Sequence, residues 1–240
     1  NVSITDYPND LVKGLIFNWN GTNFTHYNSS LLLAINANNF SNIGDNETNV
    51  ADISSYSYNG SCRQYQTSSG SGQGSYTFST CNYSTGKYNG GLNFNGVNQS
   101  VFIIDNNIGE AAHNFSVMAW VNITTAVDLN SPYRSIISSG GPGTVFEMNF
   151  SSSNFTFFMT NDTNTVRAAS NSAPTLGLWY HLVGIYNGTN LLLYVNGILQ
   201  DNGPIFSGKT TTISANNVSI GNGFNNTGPR AFFGGYIDEV

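Results

Sequence analysis

Short runs in which apolar and polar residues alternate dominate this chain, and the spacing typical of helices is nearly absent. The run Phe115–Val121 is the clearest strand signal, because every second residue from Phe115 onwards is apolar and would share one face. Met118 and Trp120 fall on the opposite face. Apolar groups on both faces are typical of a central strand that is covered on both sides, and we expect this position for it.

Asn-Gly pairs separate several of these runs. Asn187-Gly188 and Asn196-Gly197 interrupt the apolar segment 179–199, and Asn-Gly favours the type I′ turn, in which both residues have positive φ. They predict a three-stranded antiparallel meander, and Asn95-Gly96 predicts a further hairpin. The other short apolar runs are 135–137, 145–150, 155–159, 218–220 and 232–240. Many short strands separated by turns indicate an all-β fold, an antiparallel sandwich or barrel.

The segment from about residue 20 to residue 90 has a different character. It is rich in polar residues, contains a Ser/Gly run at 68–75, and is clearly apolar only at 31–35. A structureless loop of this length is uncommon in a compact domain. We therefore expect an insertion with short elements of its own, within one domain that spans residues 14–240. Residues 1–13 would form an N-terminal extension, whose alternating start at 1–5 suits a strand donated to a neighbour.

Charge is scarce in this chain. Charged residues make up only 8% of it, and the formal net charge is −6. Seven Lys and Arg residues cannot form the basic stripe that nucleic-acid binding requires, so a nucleic-acid partner is excluded. No apolar run approaches the roughly 18 residues of a membrane span, and we expect a mature ectodomain. A surface with so few charges needs another source of hydration, or burial in an assembly.

N-glycans would supply that hydration. The acceptor pattern Asn-x-Ser/Thr, with x other than Pro, occurs 17 times, more than twice the number that random placement of 37 Asn and 49 Ser and Thr residues would give. An occupied acceptor must lie on the surface of a secreted protein. We therefore predict an extracellular or cell-surface glycoprotein. Several of the following asparagines would carry N-glycans: Asn1, Asn20, Asn23, Asn28, Asn39, Asn46, Asn59, Asn82, Asn98, Asn114, Asn122, Asn149, Asn154, Asn161, Asn187, Asn217 and Asn225.

The two cysteines, Cys62 and Cys81, are 19 positions apart. An even number of cysteines in a secreted chain predicts one disulfide, which would stabilise the fold by about 3 kcal/mol in the chain-entropy model. The alternative is two free thiols. A zinc site is disfavoured, because neither a Cys-x-x-Cys pair nor paired histidines accompany the cysteines.

Several motifs occur in a recognisable order. They are a first strand at 14–19, an Asp-x-Ser turn at 52–54, a Leu-x-Phe-x-Gly motif at 92–96, the central strand at 115–121, Trp-x-His at 179–181, Leu-Tyr-x-Asn-Gly at 193–197, and closing strands at 218–221 and 235–240. Together they resemble the laminin-G-like branch of the concanavalin A-like lectin/glucanase superfamily. The resemblance implies a jelly-roll β-sandwich over residues 14–240.

The resemblance also implies a possible metal site. Relatives often bind a structural calcium ion, and oxygen-rich turns suit such hard cations. Asp52 and Asp238 fall in the matching turns and are the first candidates for calcium ligands. The alternative is that both carboxylates cap turns or accept backbone hydrogen bonds. No other cofactor is expected.

The same superfamily includes glycoside hydrolases, whose catalysis needs a pair of carboxylates. Those enzymes carry a Glu-x-Asp-x-x-Glu pattern that places two carboxylates on one strand face, and this chain has no such pattern. Asp238 and Glu239 are adjacent and would point to opposite faces, Asp45 and Glu47 lie in a polar loop, and Glu147 stands alone in its strand. We therefore expect no enzymatic activity.

The histidines are candidates for nucleophilic catalysis, and the loop aromatics are candidates for sugar binding. His181 lies in the Trp-x-His motif, where we expect it to make a structural hydrogen bond. The chain has no nucleophile-elbow motif that would make His181, His26 or His113 part of a catalytic triad. Sugar binding needs exposed aromatic side chains beside polar groups. Five loop aromatics could provide them, unless they pack on the protein's own loops, on its glycans or on neighbouring chains: Tyr56, Tyr58, Tyr65, Tyr133 and Phe224.

Two functions follow from these observations. The resemblance favours a non-catalytic cell-surface module for adhesion or carbohydrate recognition, which is an analogy at the level of the fold. The low charge favours a structural subunit of a filament, pilus or sheath, in which copies of the chain complete one another's sheets. Relatives usually continue for about one strand beyond the motif that this chain has at 235–240. Either more protein follows in the full gene product, or a neighbouring chain completes the sandwich, as the second hypothesis expects.

Overall fold

The computed structural model describes residues 16–19, 22–25, 30–66, 74–104, 108, 114–127, 132–141, 143–160, 165–201, 203, 205–206, 217–225 and 228–240. The proposed N-terminal extension, 1–13, lies outside them. The described residues form one short 3-10 helix, Ser41–Ile43, and the following strands: β1 (Ile16–Trp19), β2 (Thr22–Thr25), β3 (Asn49–Val50), β4 (Gly60–Gln66), β5 (Ser75–Phe78), β6 (Tyr83–Tyr88), β7 (Gly90–Asn95), β8 (Gln99–Ile104), β9 (Phe115–Ile123), β10 (Tyr133–Gly141), β11 (Gly143–Ser151), β12 (Phe155–Thr160), β13 (Thr165–Ala169), β14 (Trp179–Tyr186), β15 (Leu191–Val195), β16 (Ile198–Asp201), β17 (Asn217–Ile220), β18 (Gly223–Asn225), β19 (Gly228–Arg230) and β20 (Gly234–Asp238).

The strands form two large antiparallel sheets. The larger sheet has nine strands in the order β13-β12-β11-β10-β17-β8-β4-β3, with β5 also paired to β4. The smaller sheet has seven strands in the order β16-β15-β14-β9-β20-β7-β6. The hairpins β1–β2 and β18–β19 form separate two-stranded sheets. This architecture confirms the predicted all-β antiparallel sandwich.

The hydrophobic core lies between the two sheets, and in strands such as β8, β9 and β12 alternate residues face it. In the smaller sheet, Ala119, Val121 and Ile123 of β9 are fully buried. In the larger sheet, Phe157 of β12 is fully buried and contacts the smaller sheet, where an added Cβ at Gly184 would lie 2.5 Å from its ring. The inward half of the pattern at 115–121 is therefore confirmed as core.

The predicted meander at 179–199 is confirmed as β14, β15 and β16. At its second turn Asn196 and Gly197 have φ of 52° and 79°, as a type I′ turn requires. At its first turn Gly188 has a φ of 90° whereas Asn187 does not have a positive φ. Instead, the Asn187 Oδ1 accepts hydrogen bonds from the backbone N–H groups of Thr189 and Asn190. The type I′ prediction is wrong there, because the Asn187 side chain shapes a longer turn.

The hairpin predicted at Asn95-Gly96 is wrong. β7 pairs with β6 and β20 in the smaller sheet, whereas β8 pairs with β4 and β17 in the larger sheet. The chain does turn here, since Gly96 has a φ of 73° and the Asn95 Oδ1 accepts the N–H groups of Val97 and Asn98. The turn carries the chain from one sheet to the other instead of pairing the two strands.

Much of the segment at 20–90 belongs to the sandwich itself. β3, β4 and β5 lie at one side of the larger sheet, and β6 forms an edge of the smaller sheet. A disulfide between Cys62 of β4 and Cys81, just before β6, confirms the predicted pairing, with a Cα–Cα distance of 5.2 Å. The disulfide therefore ties the larger sheet to the chain that enters the smaller one.

The final strand, β20, is an inner strand. It lies between β9 and β7, and Val240 beyond it exchanges backbone hydrogen bonds of 2.7 and 2.9 Å with Ile35. Segments of the same chain thus flank it on both sides. Assembly into a filament stays a prediction, which electron microscopy of the native protein would check by showing filaments or single particles.

Candidate functional site

The outer face of β9 is open. The strand is central as predicted, because β14 and β20 flank it. Within the described residues, however, the larger sheet covers only its inner side, and Met118 is 49% exposed while Trp120 is half-buried. The expectation that both faces are covered is therefore wrong, and the apolar groups on the outer face form a surface.

A first row of side chains crosses this outer face at right angles to the strands. Asn122 of β9 is paired with Trp179 of β14 on one side and with Tyr236 of β20 on the other. The ring centroids of Trp179 and Tyr236 lie 6.3 Å apart, and both residues are half-buried. The Asn122 amide donates to the carbonyl of Gly177 at 3.2 Å, which fixes it between the rings, and Asn93 of β7 follows Tyr236 in the row.

A second row contains Trp120, with His181 and Asp238 as its cross-strand partners. The indole centroid lies 4.9 Å from the His181 ring, and the ring of Tyr88 meets the indole edge-on at 5.7 Å. The ammonium of Lys87 lies 4.6 Å from the indole centroid. Successive residues on one strand face are about 7 Å apart, so the two rows are adjacent.

The half-buried rings of the two rows form one surface, which we call the aromatic face: Trp120, Trp179, His181 and Tyr236. An apolar border continues it towards β15 and β16. There Val183 is paired with Met118 and Tyr194, and Leu199 is 41% exposed.

A bulge in β6 brings Lys87 and Tyr88 to the aromatic face. The β6–β7 register shifts between Thr85 and Tyr88, and such an irregularity redirects side chains. The Asp238 Oδ2 accepts the N–H of Tyr88 at 2.9 Å and is itself fully buried. This carboxylate therefore holds the bulge against the sheet.

Burial shifts the pKa values of two side chains in the second row, His181 and Asp238. It lowers the pKa of His181, so the imidazole is neutral at neutral pH and offers one donor and one acceptor. Burial raises the pKa of Asp238, and the backbone N–H groups of Tyr88, Lys87 and Glu239 oppose that rise. The hydrogen bond expected of His181 is made by its backbone N–H, to the Asn196 Oδ1 at 2.8 Å, whereas its ring packs on Trp120.

The four loop tyrosines predicted as sugar-binding candidates pack against other rings or a cation of the chain, as the alternative interpretation held. Tyr56 and Tyr58 stack on each other at 5.6 Å, and Tyr65 meets Tyr76 at 5.5 Å. Tyr133 lies 4.8 Å from the Arg230 guanidinium, and the side chain of Phe224 lies outside the described residues. The signal for the aromatic face was in the strands, because Trp179 and His181 are two residues apart and share a face.

The residues at the proposed calcium site do not fit a calcium ion. Both oxygens of Asp52 already accept hydrogen bonds, from the N–H groups of Ala34, Ser54 and Tyr58 and from the Ser54 hydroxyl, at 2.7–2.9 Å. Asp238 retains one oxygen, Oδ1, without a donor. Calcium takes six to eight oxygen ligands, and within the described residues no three His, Cys, Asp or Glu side chains cluster for a metal. The geometry favours turn capping for Asp52.

Glu147 has a structural environment. It lies on β11 in the larger sheet, is fully buried, pairs with Arg230 at 3.2 Å and accepts a hydrogen bond from the Asn149 amide at 3.0 Å. Burial raises the pKa of Glu147, while Arg230 and Asn149 oppose that rise. The carboxylate therefore links the sheet to the β18–β19 hairpin, which ends at Arg230.

Asp45 and Glu47 also lack the arrangement of a catalytic pair. Asp45 is buried, and its two oxygens accept the N–H groups of Phe40 and Ala51. Glu47 is exposed. The two carboxylates therefore do not face one open surface together.

The acceptor asparagines differ in exposure. Those with exposed side chains are Asn39, Asn46, Asn59, Asn82, Asn114 and Asn187, and those that are half-buried are Asn98, Asn122, Asn154 and Asn217. Asn149 is 7% exposed and donates its amide to Glu147. The other acceptors, together with two histidines, have side chains outside the described residues: Asn1, Asn20, Asn23, Asn28, Asn161, Asn225, His26 and His113.

The two sheets define an antiparallel β-sandwich, and one outer face of it carries the aromatic face. Residues 94–240 match the sequence profile of a laminin-G family within the concanavalin A-like lectin/glucanases superfamily. The chain belongs to that superfamily, as the motifs indicated. The matched range includes all four residues of the aromatic face, whereas Lys87 and Tyr88 precede it.

Solved structures share the fold at low sequence identity. Domain 4 of an extracellular arabinanase from Geobacillus stearothermophilus, solved in complex with arabinotriose, has a TM-score of 0.59 and 15% identity over 86% of this chain and 88% of its own. The binding domain of botulinum neurotoxin DC, solved with rat synaptotagmin II, has a TM-score of 0.57 and 15% identity over 87% of this chain and 46% of its own. A structure of botulinum neurotoxin type C, whose cell entry is dependent upon interaction with two ganglioside molecules, has a TM-score of 0.55 and 16% identity over 87% and 46%.

This chain therefore spans about half the length of the neurotoxin chains that it matches. No curated protein sequence matches it. Across the described residues, no helix is long and apolar enough to cross a membrane.

Proposed function

We propose that this protein is an extracellular, N-glycosylated, non-catalytic module that recognises carbohydrate through its aromatic face. One observation carries the proposal: Trp120, Trp179 and Tyr236 lie half-buried in two adjacent rows of an open sheet face, beside the amides of Asn93 and Asn122. Aromatic rings beside polar hydrogen-bonding groups are the composition that binding a sugar requires.

The geometry suits an oligosaccharide. The C–H faces of a sugar ring can pack on an aromatic side chain, while its hydroxyls exchange hydrogen bonds with amides and with the neutral His181 imidazole. Because the rows are about 7 Å apart, consecutive sugar units can each contact one row. Similar folds in an arabinanase domain solved with arabinotriose and in a ganglioside-dependent neurotoxin support this function by analogy.

Other features support the remaining parts of the proposal. The disulfide favours an oxidising compartment, and exposed acceptor asparagines such as Asn46 and Asn59 are available for glycosylation. The carboxylates considered for catalysis support a non-catalytic role, because Glu147 is committed to Arg230 and Asp45 to backbone N–H groups.

Glycan-array binding of the purified protein, followed by titration of the best ligand, tests this function. Trp179→Ala is expected to weaken binding at least about tenfold, as the loss of a central aromatic contact does. Tyr56→Ala removes an aromatic residue that is 39% exposed but lies outside the aromatic face, and it should bind like the wild type. Failure to bind any glycan, or equal binding by the two variants, would overturn the proposal.

A further inference from the structure

Lys87 stands out among the few cations of this protein, which has seven Lys and Arg residues in total. Of the other described cations, Arg134 is buried among backbone carbonyls and Arg230 pairs with a buried glutamate. Arg63 and Arg167 lie on phenylalanine rings of the larger sheet. Lys87 is therefore the cation that the described structure places at the aromatic face.

The Lys87 ammonium is positioned and available. It lies 4.6 Å from the Trp120 ring centroid, a contact that holds the charged group at the sheet surface. The residue is exposed, and no carboxylate among the described residues forms an ion pair with it. The nearby Asp238 carboxylate is fully buried and accepts backbone N–H groups, so it anchors the bulge that carries Lys87 without pairing with the ammonium.

We propose that the aromatic face prefers acidic glycans, in which a sialic or uronic acid unit carries a carboxylate, and that Lys87 recognises this carboxylate. The inference rests on the proposed function and adds the class of sugar. Lys87 lies over Trp120 in the row next to Trp179 and Tyr236, so a carboxylate on a sugar packed on those two rings can reach the ammonium across a row spacing of about 7 Å.

Among the described residues at the aromatic face, Lys87 supplies the positive charge that a preference for acidic sugars needs. An ammonium forms charge-assisted hydrogen bonds with a carboxylate, which are stronger than those of a neutral donor. His181 is neutral at neutral pH, so it adds a hydrogen bond but no charge. The net charge of −6 gives the whole protein no general attraction for acids. A preference for acidic sugars therefore requires a local cation.

Matched ligand pairs test the inference: sialyllactose against lactose, and trigalacturonic acid against its methyl ester. The acidic member is expected to bind about five- to tenfold more tightly at low ionic strength, and rising salt should reduce this ratio. Lys87→Gln should lower the ratio to about one, whereas Lys87→Arg should retain it. Arg167→Gln is the matched control, because it removes the same charge from another exposed cation–ring contact, 5.7 Å from Phe158.

The outcomes separate this inference from the proposed function. Equal binding of the acidic and neutral sugars by the wild type would overturn this inference but not the proposed function. So would an unchanged acidic-to-neutral affinity ratio in Lys87→Gln with an unchanged melting temperature. Failure of every sugar to bind would overturn the proposed function as well. A ratio lost in Lys87→Gln and kept in Arg167→Gln and Lys87→Arg would establish the inference.

Discussion

Gly184 on β14 faces the ring of Phe157 in the opposite sheet, and Gly184→Ala is expected to destabilise the sandwich. The added Cβ would lie 2.5 Å from two ring carbons and 2.9 Å from a third, well inside contact distance. Phe157 is fully buried, so its ring cannot move aside without displacing other core residues. Overpacking of this kind costs about 1–3 kcal/mol, and the lower chain entropy of Ala returns about 0.5–1 kcal/mol. Because three ring carbons clash at once, the cost lies in the upper part of this range, about 2–3 kcal/mol, and the net loss is about 1–2.5 kcal/mol, or roughly 2–10 °C in melting temperature.

Urea unfolding followed by tryptophan fluorescence measures this loss. Ser116→Thr, an exposed substitution on the adjacent strand β9 that keeps the acceptor pattern of Asn114, is the control and should change stability little. In a double-mutant cycle with Phe157→Ala, the added methyl group should fill part of the cavity, so the combined loss should be smaller than the sum by about 1 kcal/mol or more. A Gly184→Ala variant as stable as the wild type, or additive losses in the cycle, would refute the reasoning.

The remaining predictions concern ionisation, glycosylation and metal binding. Because burial raises the pKa of Glu147 above its value in the unfolded chain, the stability from its protonation is complete below about pH 4 and is lost as pH rises through the folded pKa. Glu147→Gln should flatten the plot of unfolding free energy against pH in this window, and an unchanged slope would contradict this. Peptide mapping by mass spectrometry should find glycans at exposed acceptors such as Asn46 but none at Asn149, whose amide is bonded to Glu147. An intact mass equal to the 25.9 kDa of the bare chain would refute glycosylation. Adding calcium or EDTA should leave the melting temperature unchanged, because the Asp52 oxygens already accept hydrogen bonds. A melting temperature that rises with calcium would contradict this interpretation of Asp52.

Local patterns in the sequence predicted much of the fold. The meander of β14, β15 and β16 and the positive φ of Asn196 and Gly197 follow from rules that act within a few residues. The same rules failed at Asn95-Gly96, because a turn signal shows that the chain turns but not which sheet the next strand joins. The sequence of 20–90 predicts an insertion for a related reason, because edge strands such as β6 are short and polar and give a weak pattern.

The candidate site was predicted only in part. The alternation in 115–121 placed Trp120 on the face opposite Val121, which the structure confirms. A strand pattern does not reveal whether a second layer covers a face. The pattern therefore predicted a covered surface around Trp120 and left loop tyrosines as the candidates for sugar binding. The contact between Asp238 and Tyr88 joins residues 150 positions apart, and no local rule reports it.

By itself, the sequence determined the β-sandwich class and the inward half of β9, because φ preferences and side-chain alternation are local properties of the backbone. It also determined the disulfide between Cys62 and Cys81, because the chain has only two cysteines to pair. Tertiary structure decided which sheet each strand joins, that the outer face of β9 is open, and that Lys87 lies over Trp120. These features depend on pairing between distant segments, and the free energy of such pairing comes from burial and hydrogen bonds that exist only once the two sheets have closed on their core.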